Sequence, residues 1–104
     1  MDHSSEMATF TTRVELRGLA KKNDYTALNK AMVQAGFKRT VTNEQGKVYH
    51  LPEAEFDIVS DKTCVEVRDL ASSVAANVWR NYLVLVTEAA QRSWLLVLVK
   101  PVDK

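Results

Sequence analysis

The chain has 104 residues, of which 46% are hydrophobic and 26% are charged, as is typical of one globular domain. The formal net charge of +1 excludes a global attraction to nucleic acid or membrane, so a nucleic-acid role needs a local basic patch. The single cysteine, Cys64, excludes an internal disulfide framework and zinc sites built on several cysteines. No stretch approaches the roughly 20 apolar residues that span a bilayer. We therefore expect a cytoplasmic protein without a membrane segment.

The first seven residues, "MDHSSEM", are polar and lack the apolar core of a signal peptide. We expect residues 1–7 to be a disordered tail or a vector remnant, and residues 8–104 to form a single domain. The stretch "TFTTRVELR" at residues 9–17 then alternates with period two, which predicts a half-buried strand. Its predicted core face consists of Phe10, Thr12, Val14 and Leu16. Its other face consists of Thr11, Arg13, Glu15 and Arg17.

A helix is predicted next, within "DYTALNKAMVQA" at residues 24–35. Asn23 or Asp24 is the expected N-terminal cap, since short polar side chains satisfy the free backbone N–H groups there. Gly36 is the expected left-handed stop, with Phe37 packing back on the last turn. The buried stripe of this helix is predicted at helical spacing to be Tyr25, Leu28, Met32 and Ala35.

A long hairpin follows, with "FKRTVT" and "KVYHL" as strands and "NEQG" at residues 43–46 as its loop. Pro52 cannot donate a ladder hydrogen bond, so it predicts a bulge or a break after the second strand. The stretch "EAEFDIV" at residues 53–59 alternates again. We expect Ala54, Phe56 and Ile58 to point inward, and Glu55 and Asp57 to point outward.

The second helix is predicted to open with a capping box formed by Thr63 and Glu66. Two final strands, "YLVLVTE" and "WLLVLV", lack strict alternation, which predicts burial on both faces or an edge that pairs with another chain. A homodimer is therefore one expectation. Its candidate interface residues are Tyr82, Val84, Trp94, Leu96 and Leu98.

The order of these elements is that of a ferredoxin-like βαββαβ sandwich of the α+β class, with two helices on one face of an antiparallel sheet and an extra C-terminal strand. The chain lacks a glycine-rich phosphate loop after the first strand, which disfavours nucleotide hydrolysis. The outward residues of the predicted central strands are charged rather than aromatic, which disfavours RNA recognition by stacking on the sheet.

Arg13 and Arg17 lie four residues apart on the same face of the predicted first strand. Both are candidate ligands for RNA phosphates, because a guanidinium fork matches phosphate oxygens. The "KKND" segment at residues 21–24, together with Lys38 and Arg39, would widen this basic region. The alternative is a solvated face on which Glu15 neutralises both arginines.

Glu55 and Asp57 share one strand face and are candidate ligands for Mg²⁺, although pairing with Arg13 and Arg17 is the more ordinary use of such carboxylates. His50 is the candidate general acid or base of the ordered region, against a structural role on the hairpin. We predict no required cofactor. Cys64 is expected to be a small buried residue.

The stretch from residue 43 to residue 70 resembles the GhoS-type antitoxins of type V toxin–antitoxin systems. The carrying features are the turn "NEQG", then "HLPEAEFDI", then "VEVRDLA", preceded by the junction "AMVQAGF". With "FTTRVEL", "YHLP" and "LVTE" the resemblance extends over residues 8–88. It implies a ferredoxin-like fold related to the small CRISPR-associated ribonucleases, and an endoribonuclease that silences a toxin message by cutting it.

Two features depart from what the resemblance implies. The basic residues that it implies on the first helix are matched only by "LNKAM", which places Asn29 at one such position and Lys30 beside it. The acid that the CRISPR-associated relatives carry at the end of the first strand is replaced by Arg17. The function predicted is an RNA-directed, endoribonuclease-type antitoxin, with RNA as partner and no DNA specificity. The alternatives are a non-enzymatic dimeric interaction module that uses the C-terminal strands, and a small-ligand regulatory domain.

Overall fold

The computed structural model describes residues 6–100, and the predicted tail at residues 1–7 lies largely outside that range. In chain order the elements are β1 (Ala8–Leu16), α1 (Lys22–Gln34), β2 (Thr40–Thr42), β3 (Val48–His50), β4 (Glu55–Ser60), α2 (Cys64–Ala76), β5 (Tyr82–Glu88) and β6 (Val97–Leu98).

The central sheet has the strand order β4-β1-β5, with both pairings antiparallel. Both helices pack on one of its faces, so the inward residues of β1 lie in the core as the period-two pattern predicted. The buried apolar cluster between sheet and helices comprises Phe10, Val14, Leu16, Leu28, Met32, Phe37, Phe56, Ile58, Val67, Ala71 and Ala75.

Helix α1 begins at Lys22, so the predicted cap at Asn23 or Asp24 was wrong by two or three residues. Lys21 is the N-cap residue, and its side chain has no acceptor. The Asp24 carboxylate instead accepts the Lys21 backbone N–H at 2.8 Å. The predicted end is confirmed: Gly36 has φ +108°, and the Phe37 N–H donates to the Met32 carbonyl at 3.0 Å.

Helix α2 begins with the predicted capping box. The Thr63 Oγ1 accepts the Glu66 N–H at 3.1 Å, and the Glu66 carboxylate accepts the Thr63 N–H at 2.8 Å. Val67, Ala71 and Ala75 are its buried residues.

Strand β3 ends at His50 and β4 begins at Glu55, which confirms the break predicted at Pro52. Ala54 takes the left-handed conformation with φ +69° and is buried. The Arg39 guanidinium closes the break, because its Nη1 donates to the Pro52 carbonyl at 2.9 Å and to the Glu55 carbonyl. The break carries the chain from one sheet into the other.

The small sheet has the order β2-β3-β6 and is also antiparallel. It adjoins the central sheet through a bridge in which the backbones of Lys38 and Asp57 exchange two hydrogen bonds, of 2.7 and 2.8 Å.

The expectation of burial on both faces of the C-terminal strands was wrong. Strand β5 alternates: Tyr82 and Val84 pack against the core, whereas Leu83 and Leu85 are exposed. In "WLLVLV" only two residues form a strand, β6, and Leu95 is 98% exposed. The edge of β6 pairs with β3 of the same chain.

The architecture of residues 6–100 is α+β, with two helices and two antiparallel three-stranded sheets. Within the same residues, neither helix has the length and apolar character needed to cross a bilayer.

Candidate functional site

The central sheet has a helix-free face, which we define by the outward side chains of Thr11, Arg13, Glu15 and Arg17 on β1 and of Glu55 and Asp57 on β4. Residues two apart on a strand project from the same face, and antiparallel pairing sets Arg13 directly opposite Glu55. Both carboxylates therefore point outward with the arginines, as the period predicted.

An ion-pair row runs along this face. The guanidinium of Arg17 lies 3.8 Å from one carboxylate oxygen of Glu15, and that of Arg13 lies 3.8 Å from the other. Arg13 also lies 3.5 Å from Glu55. The arginine side chains are 47% and 53% exposed, so these pairs add little to stability and exchange partners readily. Both guanidinium groups are therefore accessible from solvent.

Asp57 is not part of this solvated row. It was expected to pair with Arg13 or Arg17, but its Oδ1 accepts a 2.7 Å hydrogen bond from Nη1 of Arg92, and the residue is only 8% exposed. The same nitrogen of Arg92 lies 3.2 Å from Oγ1 of Thr11. The C-terminal segment at residues 91–96 thus crosses this half of the helix-free face and buries it.

The interlayer cleft lies between this covered half and the small sheet, with a volume of about 490 Å³. Its lining includes Thr11 and Glu55 of the central sheet, together with Val41 of the small sheet and Leu51 and Pro52 of the connection between the sheets. Residues 91–96 close the remaining side. Trp94 is fixed within this segment, with its ring centroid 6.0 Å from that of Tyr49 and 5.7 Å from the guanidinium carbon of Arg92.

The end cleft lies where β1 ends and β5 begins, with a volume of about 660 Å³. Its walls include Arg17, Trp79 and Arg80. The Trp79 indole N–H donates to the Arg17 carbonyl at 2.6 Å, and the Arg17 N–H donates to the Asn81 carbonyl at 2.8 Å. Arg17 and Arg80 therefore share one cleft with Trp79 at this end of the sheet.

Arg80 was not among the candidate residues predicted from the sequence. The signal was a basic residue directly after an aromatic one, just before a strand, in "WRNY" at residues 79–82. That pattern becomes meaningful only because β5 pairs with β1 and so brings it to Arg17.

The other basic candidates lie apart from the row. Lys30 is exposed on α1, which packs on the opposite face of the sheet, so Lys30 is remote from Arg13. Lys38 is exposed at the junction of the two sheets. Arg39 holds the Pro52 break and stacks over the Phe56 ring at 5.4 Å, so its guanidinium is committed to the fold.

His50 is exposed on β3, opposite Thr40 and Val97, and it lines neither cleft. It is therefore not brought together with Glu55 and Asp57. Among residues 6–100 no three His, Cys, Asp or Glu side chains gather into a metal-binding group. Cys64 is half-buried at the start of α2, with Sγ 3.5 Å from the Val86 carbonyl.

The predicted interface residues lie in three different environments. Tyr82 and Val84 face the helices and belong to the core of the chain, with the Tyr82 hydroxyl 2.9 Å from Oγ of Ser72. Trp94 and Leu96 line the interlayer cleft. Leu98 remains 43% exposed on β6.

The family model of the endoribonuclease GhoS matches residues 4–87 of this chain. The match begins inside the segment that was predicted to be a tail. It covers the central sheet almost to the end of β5 and both helices, and it ends before Arg92 and Trp94. No curated protein matches the chain. The match spans most of the sequence and agrees with the resemblance of the sequence motifs to this family. The chain therefore belongs to the GhoS endoribonuclease family.

Proposed function

We propose that this protein is an endoribonuclease-type antitoxin that cleaves a toxin messenger RNA, and that the helix-free face of the central sheet is its RNA-binding surface. The observation that carries the proposal is the family match, which includes all of β1 and therefore the whole arginine row. The exposure of Arg13 and Arg17 supports it, since phosphate contacts need guanidinium groups that water and RNA can reach.

The proposal includes a ferredoxin-like topology. The strand order β5-β1-β4 supports it, and so does the bridge from Lys38 to Asp57, which brings the segment leading into β2 beside β4. Such an arrangement leaves one face of the sheet free of helices.

RNA phosphates would follow the line from Arg13 through Arg17 to Arg80. Arg13 and Arg17 are four residues apart on one strand, a separation of about 13 Å at the usual rise per residue, so they would contact different phosphates. Arg80 extends the line, because it shares the end cleft with Arg17. The chain as a whole is nearly neutral, so this line supplies the local positive charge that binding requires.

Cleavage would use the 2′-hydroxyl of the RNA as nucleophile. It attacks the adjacent phosphorus, the bond to the 5′-oxygen breaks, and that oxygen takes up a proton from water, so that a 2′,3′-cyclic phosphate and a 5′-hydroxyl result. Arg13 would stabilise the negative charge that develops on the phosphorane. Glu55, 3.5 Å from Arg13, is the best placed carboxylate to accept the 2′-hydroxyl proton, since Asp57 is held by Arg92 and His50 lies elsewhere.

The test is a gel assay of the purified protein with labelled single-stranded and hairpin RNA, with and without EDTA. We expect Arg13→Ala/Arg17→Ala to lower the cleavage rate about 100-fold or more, in line with the loss of a charge-stabilising donor. The matched control is Arg68→Ala, which removes an exposed guanidinium from α2 in the helix layer. Thermal unfolding of each variant checks that it is folded.

Equal cleavage by the double variant and the wild type would contradict the assignment of the arginines. RNA that stays intact and unshifted at low salt, where phosphate contacts are strongest, would contradict the RNA function itself. Loss of activity in the lanes with EDTA would show that cleavage requires a divalent metal such as Mg²⁺.

A homodimeric interaction module is the second candidate, and the exposed leucines on β5 favour it. Leu83 and Leu85 are 51% and 65% exposed on the helix-free face, beside Arg13 and Glu15. Sedimentation of the wild type and of Leu83→Ser/Leu85→Ser would test it. A dimeric wild type together with a monomeric variant would support the module, and a wild-type monomer at high concentration would contradict it.

A further inference from the structure

We propose that the interlayer cleft binds one unpaired nucleobase of the RNA, stacked on Trp94, while the neighbouring phosphate lies on Arg13. This inference rests on the proposed function and deepens it, because it names the form of the substrate: a single-stranded segment with a base free to enter the cleft.

The dimensions and lining of the cleft suit a flat, polar-edged ring. Its volume of about 490 Å³ lies within the range of about 300–1,000 Å³ that is typical of small-molecule sites. The lining combines apolar residues, Val41, Leu51 and Pro52, with the polar residues Thr11 and Glu55. A nucleobase presents apolar faces and a hydrogen-bonding edge, which suits such a mixed lining.

Trp94 is held in place before any ligand arrives. Its indole contacts Tyr49 at an interplanar angle of 58°, and the guanidinium of Arg92 lies over the ring at 5.7 Å, so a base would stack on the ring face turned away from Arg92. Arg92 is itself anchored to the buried carboxylate of Asp57 at 2.7 Å. An aromatic ring ordered in advance loses little conformational entropy when a base stacks on it.

Glu55 connects the cleft with the arginine row. Glu55 lines the cleft, and its carboxylate lies 3.5 Å from Arg13. Oε2 of this carboxylate faces Arg13 and would accept the 2′-hydroxyl proton, whereas Oε1 would accept an N–H group on the edge of a base, because an ionised carboxylate only accepts hydrogen bonds. Base pairing occupies those groups in a duplex, and the cleft would therefore require an unpaired base.

The same lining disfavours a purely apolar occupant. Glu55 pairs with Arg13 and the Thr11 hydroxyl accepts from Arg92, but an apolar ligand would bury the remaining acceptor sites of both side chains without a partner, which is costly.

The experiment measures binding of a 2′-O-methyl oligonucleotide, which lacks the 2′-hydroxyl nucleophile, by fluorescence anisotropy of an attached dye. An abasic oligomer of equal length and a duplex serve as the two matched ligands. We expect Trp94→Leu to weaken binding of the base-containing single strand about tenfold or more, in line with the loss of a stacking partner. Binding of the abasic oligomer should not change, and Trp94→Phe should restore most of the loss.

A second readout needs no change at Trp94. The chain has two tryptophans, so Trp79→Phe leaves Trp94 as the sole indole reporter. We expect the base-containing oligomer to quench its emission and the abasic oligomer to leave it unchanged. Equal quenching by both oligomers, no quenching at saturation, or unaltered binding by Trp94→Leu would each overturn the proposal.

The two proposals fail separately. If wild type cleaves RNA and Trp94→Leu cleaves and binds equally well, the cleft assignment is wrong and the endoribonuclease function stands. If binding depends on Trp94 but no RNA is cleaved, the cleft assignment stands and the cleavage proposal fails.

Discussion

Thr12 is the clearest case of a single residue at odds with its surroundings. It lies on the core face of β1 and is fully buried, and its Oγ1 has no hydrogen-bond partner among residues 6–100. Since an unsatisfied buried hydroxyl costs about 1–3 kcal/mol, we expect Thr12→Val to raise the free energy of unfolding by about 1 kcal/mol in urea titrations.

Thr12→Ser is the matched control for this prediction. It keeps the hydroxyl and deletes a buried methyl group, so the free energy of unfolding should fall by about 1 kcal/mol. A valine variant that is less stable than wild type would contradict the prediction, and would show that a water molecule satisfies the hydroxyl.

At the scale of the secondary-structure elements, the end of α1 depends on the backbone conformation of one glycine. Gly36 has φ +108°, and a Cβ added there would meet only Ile58 Cδ1, at 3.9 Å. The cost of Gly36→Ala is therefore backbone strain rather than a clash. We expect it to lower the free energy of unfolding by about 1–2 kcal/mol, measured in urea.

Gln34→Ala is the control for the same helix end. Gln34 is the exposed last residue of α1, and its replacement should change the free energy of unfolding by less than about 0.5 kcal/mol. Similar losses for the alanine variants at both positions would show that helix fraying, rather than the positive φ, controls this end.

At the scale of the whole molecule, one ion pair joins the C-terminal segment to the central sheet. Arg92 and Asp57 have side chains that are 26% and 11% exposed, so removal of either one leaves a poorly hydrated charge. In a double-mutant cycle with Arg92→Met and Asp57→Asn we expect a coupling free energy of about 1–2 kcal/mol, measured by urea unfolding.

The pair Arg68 and Asp69 is the comparison for this cycle. Its donor–acceptor distance is a similar 2.8 Å, but its side chains are 55% and 63% exposed. Its coupling should stay below about 0.5 kcal/mol, because water screens it. Additive effects of the Arg92 and Asp57 substitutions would contradict the view that this pair joins the layers.

The structural features that were predicted correctly from the sequence are those that interactions between near neighbours in the chain determine. The alternation of β1, the capping box at Thr63, the stop at Gly36 and the break at Pro52 each depend on neighbours within about four positions, and the structure contains all four. The same alternation put Arg13 and Arg17 on one face. The cap of α1 was missed because Lys21, which occupies it, offers no side-chain acceptor and so leaves no signal.

Only the tertiary structure decided the surroundings of those residues. Asp57 meets Arg92 across 35 positions of the chain, and Trp79 meets the Arg17 carbonyl across 62. No periodicity or fixed spacing in the sequence predicts either contact, because each forms only when strand pairing and the fold of the C-terminal segment bring distant residues together. The sequence thus determined which side chains face outward from the central sheet, and the packing of the small sheet against it determined which of them line a cleft.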